Sequence, residues 1–195
     1  YSRVLFFYSG RIYYLMIATF DPKSILIQLR YHGFRYHGWV MQKNLPTIEE
    51  TFRTTWLKVF QYPIRAFAIS RTDAHVHACD QWVKVMSKED IIFTQDHLNM
   101  LNAHLPSDIR ALSFQKAKVG FNIIGAAQKK EYRYYFANDL PSNIPLAEEK
   151  ILHFIEPLNF LMMQEAASCF LGTHSFRNYQ RREKETANFN REVLS

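Results

Sequence analysis

Apolar and polar residues alternate over residues 24–31, with Ile25, Ile27, Leu29 and Tyr31 on one face, the period of a strand with one buried side. The period then changes. Ile48, Phe52, Trp56, Val59 and Phe60 recur at helical spacing behind Thr47-Ile48-Glu49-Glu50, which fits a capping box where Thr and Glu satisfy free backbone donors reciprocally. Pro63 closes that segment, and residues 64–69 read as a second strand. Residues 81–86 alternate again as a third. Leu98, Leu101 and Leu105 stripe a helix over 94–105 that Pro106 stops, and residues 109–116 form a fourth strand. The order strand, helix, strand, strand, helix, strand predicts a ferredoxin-like (βαββαβ) split unit of the α+β class, an antiparallel sheet with two helices on one face.

The start of a second, similar α/β unit follows. Residues 131–136 predict a Tyr-rich strand, and residues 157–170 a helix with Pro157 at its first position and Gly172 at its C-cap. Residues 173–179 and a polar tail follow, so this unit reads as half built, its C-terminus incomplete. Leu158, Leu161, Met162 and Phe170 then need a covering partner. The expected domains are an extension over 1–22, a ferredoxin-like domain over 23–118 carrying the candidate chemistry, and an incomplete second domain over 119–195. The apolar stretch 4–20 is interrupted by Gly10 and Arg11 and is short for a membrane span. A secretory signal is one reading, without an evident small-residue cleavage pattern; an extra strand or the tail of an organelle-targeting extension is an equal one. Since the chain begins with Tyr1 rather than Met, a missing or processed start is expected.

Composition narrows the class. Of 195 residues, 48% are hydrophobic and 15% aromatic, which excludes a disordered chain. Lys and Arg number 24 against 18 Asp and Glu, and the formal charge of +6 suits a polyanionic partner such as nucleic acid. Cys79 and Cys169 are the only cysteines, which excludes a disulfide framework and zinc-type spacing and favours a reducing compartment. No membrane partner is expected.

The densest candidate chemistry is Arg71-Thr72-Asp73-Ala74-His75-Val76-His77-Ala78, between two predicted strands. An adjacent Arg71 favours the ionised form of Asp73, and an ionised, oriented carboxylate can be a nucleophile, a general base or a metal ligand. Two other readings stay open. Asp73 can cap its own turn with Arg71 as a surface partner. Alternatively, Asp73, His75, His77 and Asp80 can build a metal site for a phosphoesterase, because His-x-His on an extended segment puts both imidazoles on one face.

These residues resemble the signature Arg-Thr-Asp-Ala-Gly-Val-His of the bacterial-type tRNA pseudouridine synthase A family. Four more blocks resemble that family in the same order. Tyr31-His32-Gly33 through Tyr36-His37-Gly38-Trp39, then Gln42, is similar to its opening Tyr-Asp-Gly and Gly-Trp-x-x-Gln, with extra aromatic and basic residues inside. Leu98-Asn99 through Leu101-Asn102-Ala103-His104-Leu105-Pro106 to Asp108-Ile109 resembles its Leu-Asn and Leu-Pro-x-Asp-Ile. Tyr132-Arg133-Tyr134 matches its Tyr-x-Tyr, and Leu171-Gly172-Thr173-His174-Ser175-Phe176 resembles its Gly-Thr-His-Asp-Phe. Of these, Tyr134 and Phe136 also read as ordinary core aromatics.

The resemblance implies a pseudouridine synthase fold and a chemistry. Asp73 would be the nucleophile that lets a uridine of tRNA detach from its sugar and rejoin through carbon, with no cofactor and no metal. Arg71 would pair with that carboxylate and hold the nucleotide cavity open, and Tyr132 would pack against the base. Arg133, Lys129 and Lys130 would hold the RNA backbone, with His37 and Gln42 as further RNA contacts. Such a uridine must be flipped out of folded RNA before its glycosidic bond can be reached. The resemblance also implies a homodimer, in the cytoplasm or in mitochondria. Departures from the family are His75 for its Gly, Cys79 or Asp80 for a later Gly, and Asn122-Ile123-Ile124 for its His-Ala-Arg. A catalytically inactive RNA-binding relative is the alternative these departures raise.

Overall fold

The computed structural model describes residues 2–8, 11–17, 19–137, 151–154, 156–179 and 189–194. By contact pattern the chain divides into two units, Tyr1–Glu131 and Tyr132–Ser195.

In the first unit, β1 (Ser2–Tyr8) and β2 (Arg11–Ile17) form an antiparallel hairpin. Then come β3 (Phe20–Tyr31), α1 (Ile48–Phe60), β4 (Arg65–Ala68), β5 (Ala78–Met86), α2 (Gln95–His104) and β6 (Ile109–Lys118). The sheet order is β4-β5-β3-β6, with every neighbouring pair antiparallel. This is the ferredoxin-like order that the succession of periods predicts. Ile27 lies opposite Val83 on one side and Phe114 on the other, which fixes the face that Ile25, Leu29 and Tyr31 share with it. That face packs against Ile48, Phe52 and Trp56 of α1 and Leu98 and Leu101 of α2, all buried.

Both helices start where the sequence places a Thr. Thr47 Oγ1 accepts from Glu50 N at 3.4 Å, but no return bond from Glu50 completes the box. At α2 the box does close, with His97 in the usual Glu position. Thr94 Oγ1 accepts from His97 N, and His97 Nδ1 accepts from Thr94 N at 3.2 Å. The opposite face of the sheet carries a smaller cluster of Leu26, Ala117 and Ile123, with Phe67, Trp82 and Phe121 packed on it. Lys84 lies buried there and donates from Nζ to the Phe121 carbonyl at 2.7 Å.

The second unit differs more from expectation. Its first strand, β7, is only Phe136–Ala137, paired in parallel with β8 (Leu152–His153). The Tyr-rich strand expected over 131–136 does not form: residues 131–135 lie outside any strand, and high β-propensity alone does not hold one. The helix α3 (Phe160–Ser168) begins behind Asn159, whose side chain accepts from Met162 N at 3.1 Å. Pro157 therefore precedes the helix instead of opening it, because an Asn cap is available closer to the apolar run. The C-cap is Cys169, not Gly172. Gly172, at φ +89°, opens β9 (Gly172–Ser175), which is antiparallel to β10 (Asn190–Val193). No residue of α3 is buried, and Leu161 is 80% exposed.

Candidate active site

The segment 69–77 links β4 to β5 at the end of the sheet where β3 also finishes. Asp73 and Val76 close a tight turn, with Val76 N donating to Asp73 O at 3.3 Å. The third residue of that turn, His75, has φ +65°, in the left-handed region that favours glycine. The sequence comparison with a family glycine at this position is thus explained: the turn needs a positive φ and His75 adopts it.

A second loop, residues 32–46, lies against the first and holds it by backbone contacts. Trp39 N donates to Thr72 O at 3.0 Å, and His75 N donates to Tyr36 O at 3.0 Å. The approach is close enough to demand two glycines. A β-carbon on Gly38 would stand 2.6 Å from Thr72 O, and one on Gly33 would overlap Val76 O. Side chains add three further ties. His77 Nδ1 accepts from Gly33 N at 3.0 Å, His75 Nδ1 is 2.6 Å from Phe34 O, and the hydroxyls of Tyr31 and Thr72 are 2.8 Å apart.

The last of these ties reaches the core. Gln81, buried on β5, donates from Nε2 to Ser70 O at 2.6 Å and to the Tyr31 hydroxyl at 3.2 Å. Burial pushes the Tyr31 hydroxyl above its ordinary range, against the lowering effect of its bonds to Thr72 and Gln81. It therefore stays protonated and can donate to Thr72. Neither Tyr31 nor Gln81 was expected as a site residue. The legible signal was Gln81 itself, a polar residue at a core-facing position of the series Gln81, Val83, Val85.

The outer loop is braced from its other side by Asp108. Arg35 donates to Asp108 Oδ2 through Nη2 at 2.6 Å, and the Tyr36 hydroxyl donates to Oδ1 at 2.9 Å. Burial, then the bond to Asp108, raises the Tyr36 hydroxyl to about 12.

Within this frame Asp73 and Arg71 are both exposed. Their expected pairing is not formed: among the described residues the ion pairs are Arg35–Asp108 and Arg53–Glu49. Two hydrated groups gain only about 0–1 kcal/mol by pairing, too little to fix them together. The Asp73 backbone closes the turn while its side chain is exposed. Asp80 does not reach into the turn; its Oδ1 accepts from Gln28 Nε2 at 2.9 Å on the sheet.

The metal reading loses its geometry. His75 and His77 do not share one face of an extended strand, because the left-handed residue bends the chain between them. Their Nδ1 atoms meet different backbone groups, and no cluster of three or more His, Cys, Asp or Glu suited to a metal occurs among the described residues.

The remaining candidates are spread. His37 is half-buried, with Nδ1 buried and unbonded. Gln42 is exposed but ties its own loop, donating from Nε2 to His37 O at 2.7 Å. Lys129 and Lys130 are exposed near the end of the first unit, and Tyr132 and Arg133 are exposed at the start of the second. No helix among the described residues is long and apolar enough to cross a membrane.

No family model matches the chain. Curated proteins do. It is 30% identical over 166 residues to a protein of Prochlorococcus marinus strain MIT 9312 named tRNA pseudouridine synthase A, covering 85% of this chain and 62% of that one. Proteins of the same name from Thermoanaerobacter sp. strain X514 and Acetivibrio thermocellus are 30% and 32% identical, each match covering 81% of this chain and 64% of the relative. The chain thus spans about three-fifths of the length of the curated relatives it matches.

Proposed function

We propose that the chain is a tRNA pseudouridine synthase of the A family, isomerising uridine to pseudouridine in tRNA with Asp73 as the nucleophile. The carrying observation is the Asp73 turn, clamped through its backbone and through Tyr31 and Gln81 while the carboxylate stays open to solvent. A nucleophile must be positioned without being spent on the protein's own hydrogen bonds, and this turn meets both conditions.

In the proposed reaction the Asp73 carboxylate bonds to the nucleotide as the glycosidic nitrogen–carbon bond breaks, and that bond is broken again, regenerating the carboxylate, as the freed base turns and rejoins the sugar through a ring carbon. The hydrogen on that carbon leaves as a proton, and the ring nitrogen takes one up. Nothing is oxidised or reduced, so no redox cofactor is called for. Arg71, two residues away, offers a cation to the flipped nucleotide, and Tyr132 offers a ring for the base to pack on. Exposed Lys129, Lys130 and Arg133 suit the RNA backbone, with His37 and Gln42 as lesser contacts. A homodimer in the cytoplasm or in mitochondria is part of the same reading.

The test is a tRNA carrying tritium on the uracil carbon that forms the new bond. Release of label by the wild-type chain and none by Asp73→Asn supports the mechanism. Equal release by both proteins sinks it, and tight binding without release by the wild type favours the inactive RNA-binding relative.

A further inference from the structure

Five aromatic rings run side by side along the clamp between the two loops, in the order His77, His32, Phe34, His75, His37. Successive centroids are 4.1, 6.4, 6.0 and 5.6 Å apart and successive ring planes are tilted by 50, 52, 51 and 57°, so each ring offers its own face. The middle of this ribbon faces solvent: Phe34 is 45% exposed and His75 is exposed. An exposed phenylalanine on a surface loop is ordinary by itself. Phe34 is unusual in being flanked by imidazoles on both sides and in standing on backbone that cannot easily move.

That rigidity is built from several contacts. Phe34 lies within the short helical turn Gly33–Arg35. Its carbonyl meets His75 Nδ1, and the Gly33 amide before it donates to His77 Nδ1. The Arg35 side chain after it is held by Asp108. Backbone held in this way leaves only the two torsions of the phenylalanine side chain to be ordered when another flat group stacks on it.

We propose that the exposed face of Phe34 is a stacking platform for an unpaired nucleobase of the RNA, next to the one presented to Asp73, with the His75 ring, tilted by 51°, at its edge. This rests on the reading of the chain as a tRNA-modifying enzyme and adds a subsite to it. Three observations choose the occupant. The turn that carries His75 also carries Asp73, two residues before it, so the ring and that carboxylate belong to one short turn. The formal charge of +6 and the exposed Arg71 favour a polyanion over an apolar peptide. Proteins that read RNA loops stack splayed bases on phenylalanine, tyrosine, tryptophan and histidine rings, and tolerate many sequences because every base has a flat face.

The discriminating measurement is the affinity of the full chain for an unmodified tRNA transcript at several salt concentrations. Wild type is compared with Phe34→Ala, Phe34→Leu and Phe34→Tyr, each confirmed to be folded by its thermal midpoint. Stacking predicts roughly ten-fold weaker binding for Phe34→Ala, near-wild-type binding for Phe34→Tyr, and a salt slope unchanged in both, because no charge is removed. Phe34→Leu should resemble Phe34→Ala, since an aliphatic side chain keeps apolar area but offers no ring. Wild-type affinity in Phe34→Ala overturns the platform, and so does full rescue by Phe34→Leu. Tritium release separates this from the function itself. Label released by wild type alongside wild-type affinity in Phe34→Ala discards the platform and keeps the enzyme. A Phe34 effect on binding with no release by wild type does the reverse.

Discussion

Gly38 and Thr72 meet backbone to backbone: Gly38 turns at φ +86°, and a β-carbon there would lie 2.6 Å from the Thr72 carbonyl oxygen. The amide of Trp39, next in the chain, donates to that same oxygen at 3.0 Å. The outer loop therefore sets the height of the Asp73 turn, and only a residue without a side chain allows the approach.

Gly38→Ala should accordingly separate the two loops. The left-handed backbone and the overlap each oppose alanine, and together they should cost about 1–3 kcal/mol of folding stability. Uridine isomerisation should fall further than stability does, since misplacing a reacting group by about 1 Å can cost about a hundred-fold in rate. Urea unfolding and tritium release on the same preparation check both; unchanged turnover in a destabilised variant would detach the clamp from the chemistry.

The four-stranded sheet and two helices of the first unit were legible because one physical signal, the switch between periods of two and 3.6, is repeated through them, whereas the β1–β2 hairpin was read only as an extension. Ile25, Ile27 and Leu29 are buried as the alternation requires, as are Phe52 and Trp56 on the helix. The clamp was much less legible. It depends on which backbone carbonyl faces which glycine, and nothing local to Gly33 or Gly38 names Val76 or Thr72. Tyr31 read as one more core residue, although its hydroxyl is the part that matters to the loop. The second unit misled for another reason. Tyr132, Tyr134 and Tyr135 have strong strand propensity, yet all three are exposed and in no strand, because pairing needs a neighbour that propensity cannot supply.

Tyr31→Phe removes only a hydroxyl, but it breaks the tie to Thr72 and leaves Gln81 with one bond fewer in a buried place. A buried polar group losing its partner costs about 1–3 kcal/mol. Stability should drop by that order, and kcat should fall with little change in the affinity for tRNA. A fall in affinity with kcat intact would mean the latch orients RNA and not Asp73.

Arg71→Ala and Tyr132→Ala should each leave stability within about 0.5 kcal/mol of wild type, because both side chains are exposed and Arg71 makes no ion pair among the described residues. Their effects on RNA should differ. Loss of Arg71 should lower the salt slope of tRNA binding by about one, as expected for one lost phosphate contact. Loss of Tyr132 should reduce turnover with the slope unchanged. A large stability loss in Tyr132→Ala would make it a packing residue.

His75 tests the balance between strain and contact. Its φ of +65° costs a histidine about 1 kcal/mol relative to glycine, while its Nδ1 tie to Phe34 O returns a similar amount. His75→Gly should therefore be near neutral. His75→Ala keeps the strain and loses the tie, so it should be less stable than His75→Gly by about 1 kcal/mol. Equal stabilities for the two variants in urea would show that the turn relaxes to a negative φ once the ring is gone.

Tyr36 provides a test against pH. Its hydroxyl is raised from the ordinary tyrosine value of 10.0 to about 12 by burial and by its bond to Asp108. Between those two values the folded chain keeps a proton that the unfolded chain gives up, so stability must fall as pH rises through the window. The contribution is fully present below pH 10 and is lost above about 12. Tyr31 and Tyr62 are raised in the same direction, mainly by burial, so wild type alone cannot isolate the effect. The difference between wild type and Tyr36→Phe can. Phenylalanine cannot ionise, so that difference should be flat from pH 7 to 9 and shrink above 10, where the wild type weakens faster. If the two stability curves stay parallel up to pH 12, the hydroxyl is not held by Asp108 in solution, and the brace behind the outer loop must lie elsewhere.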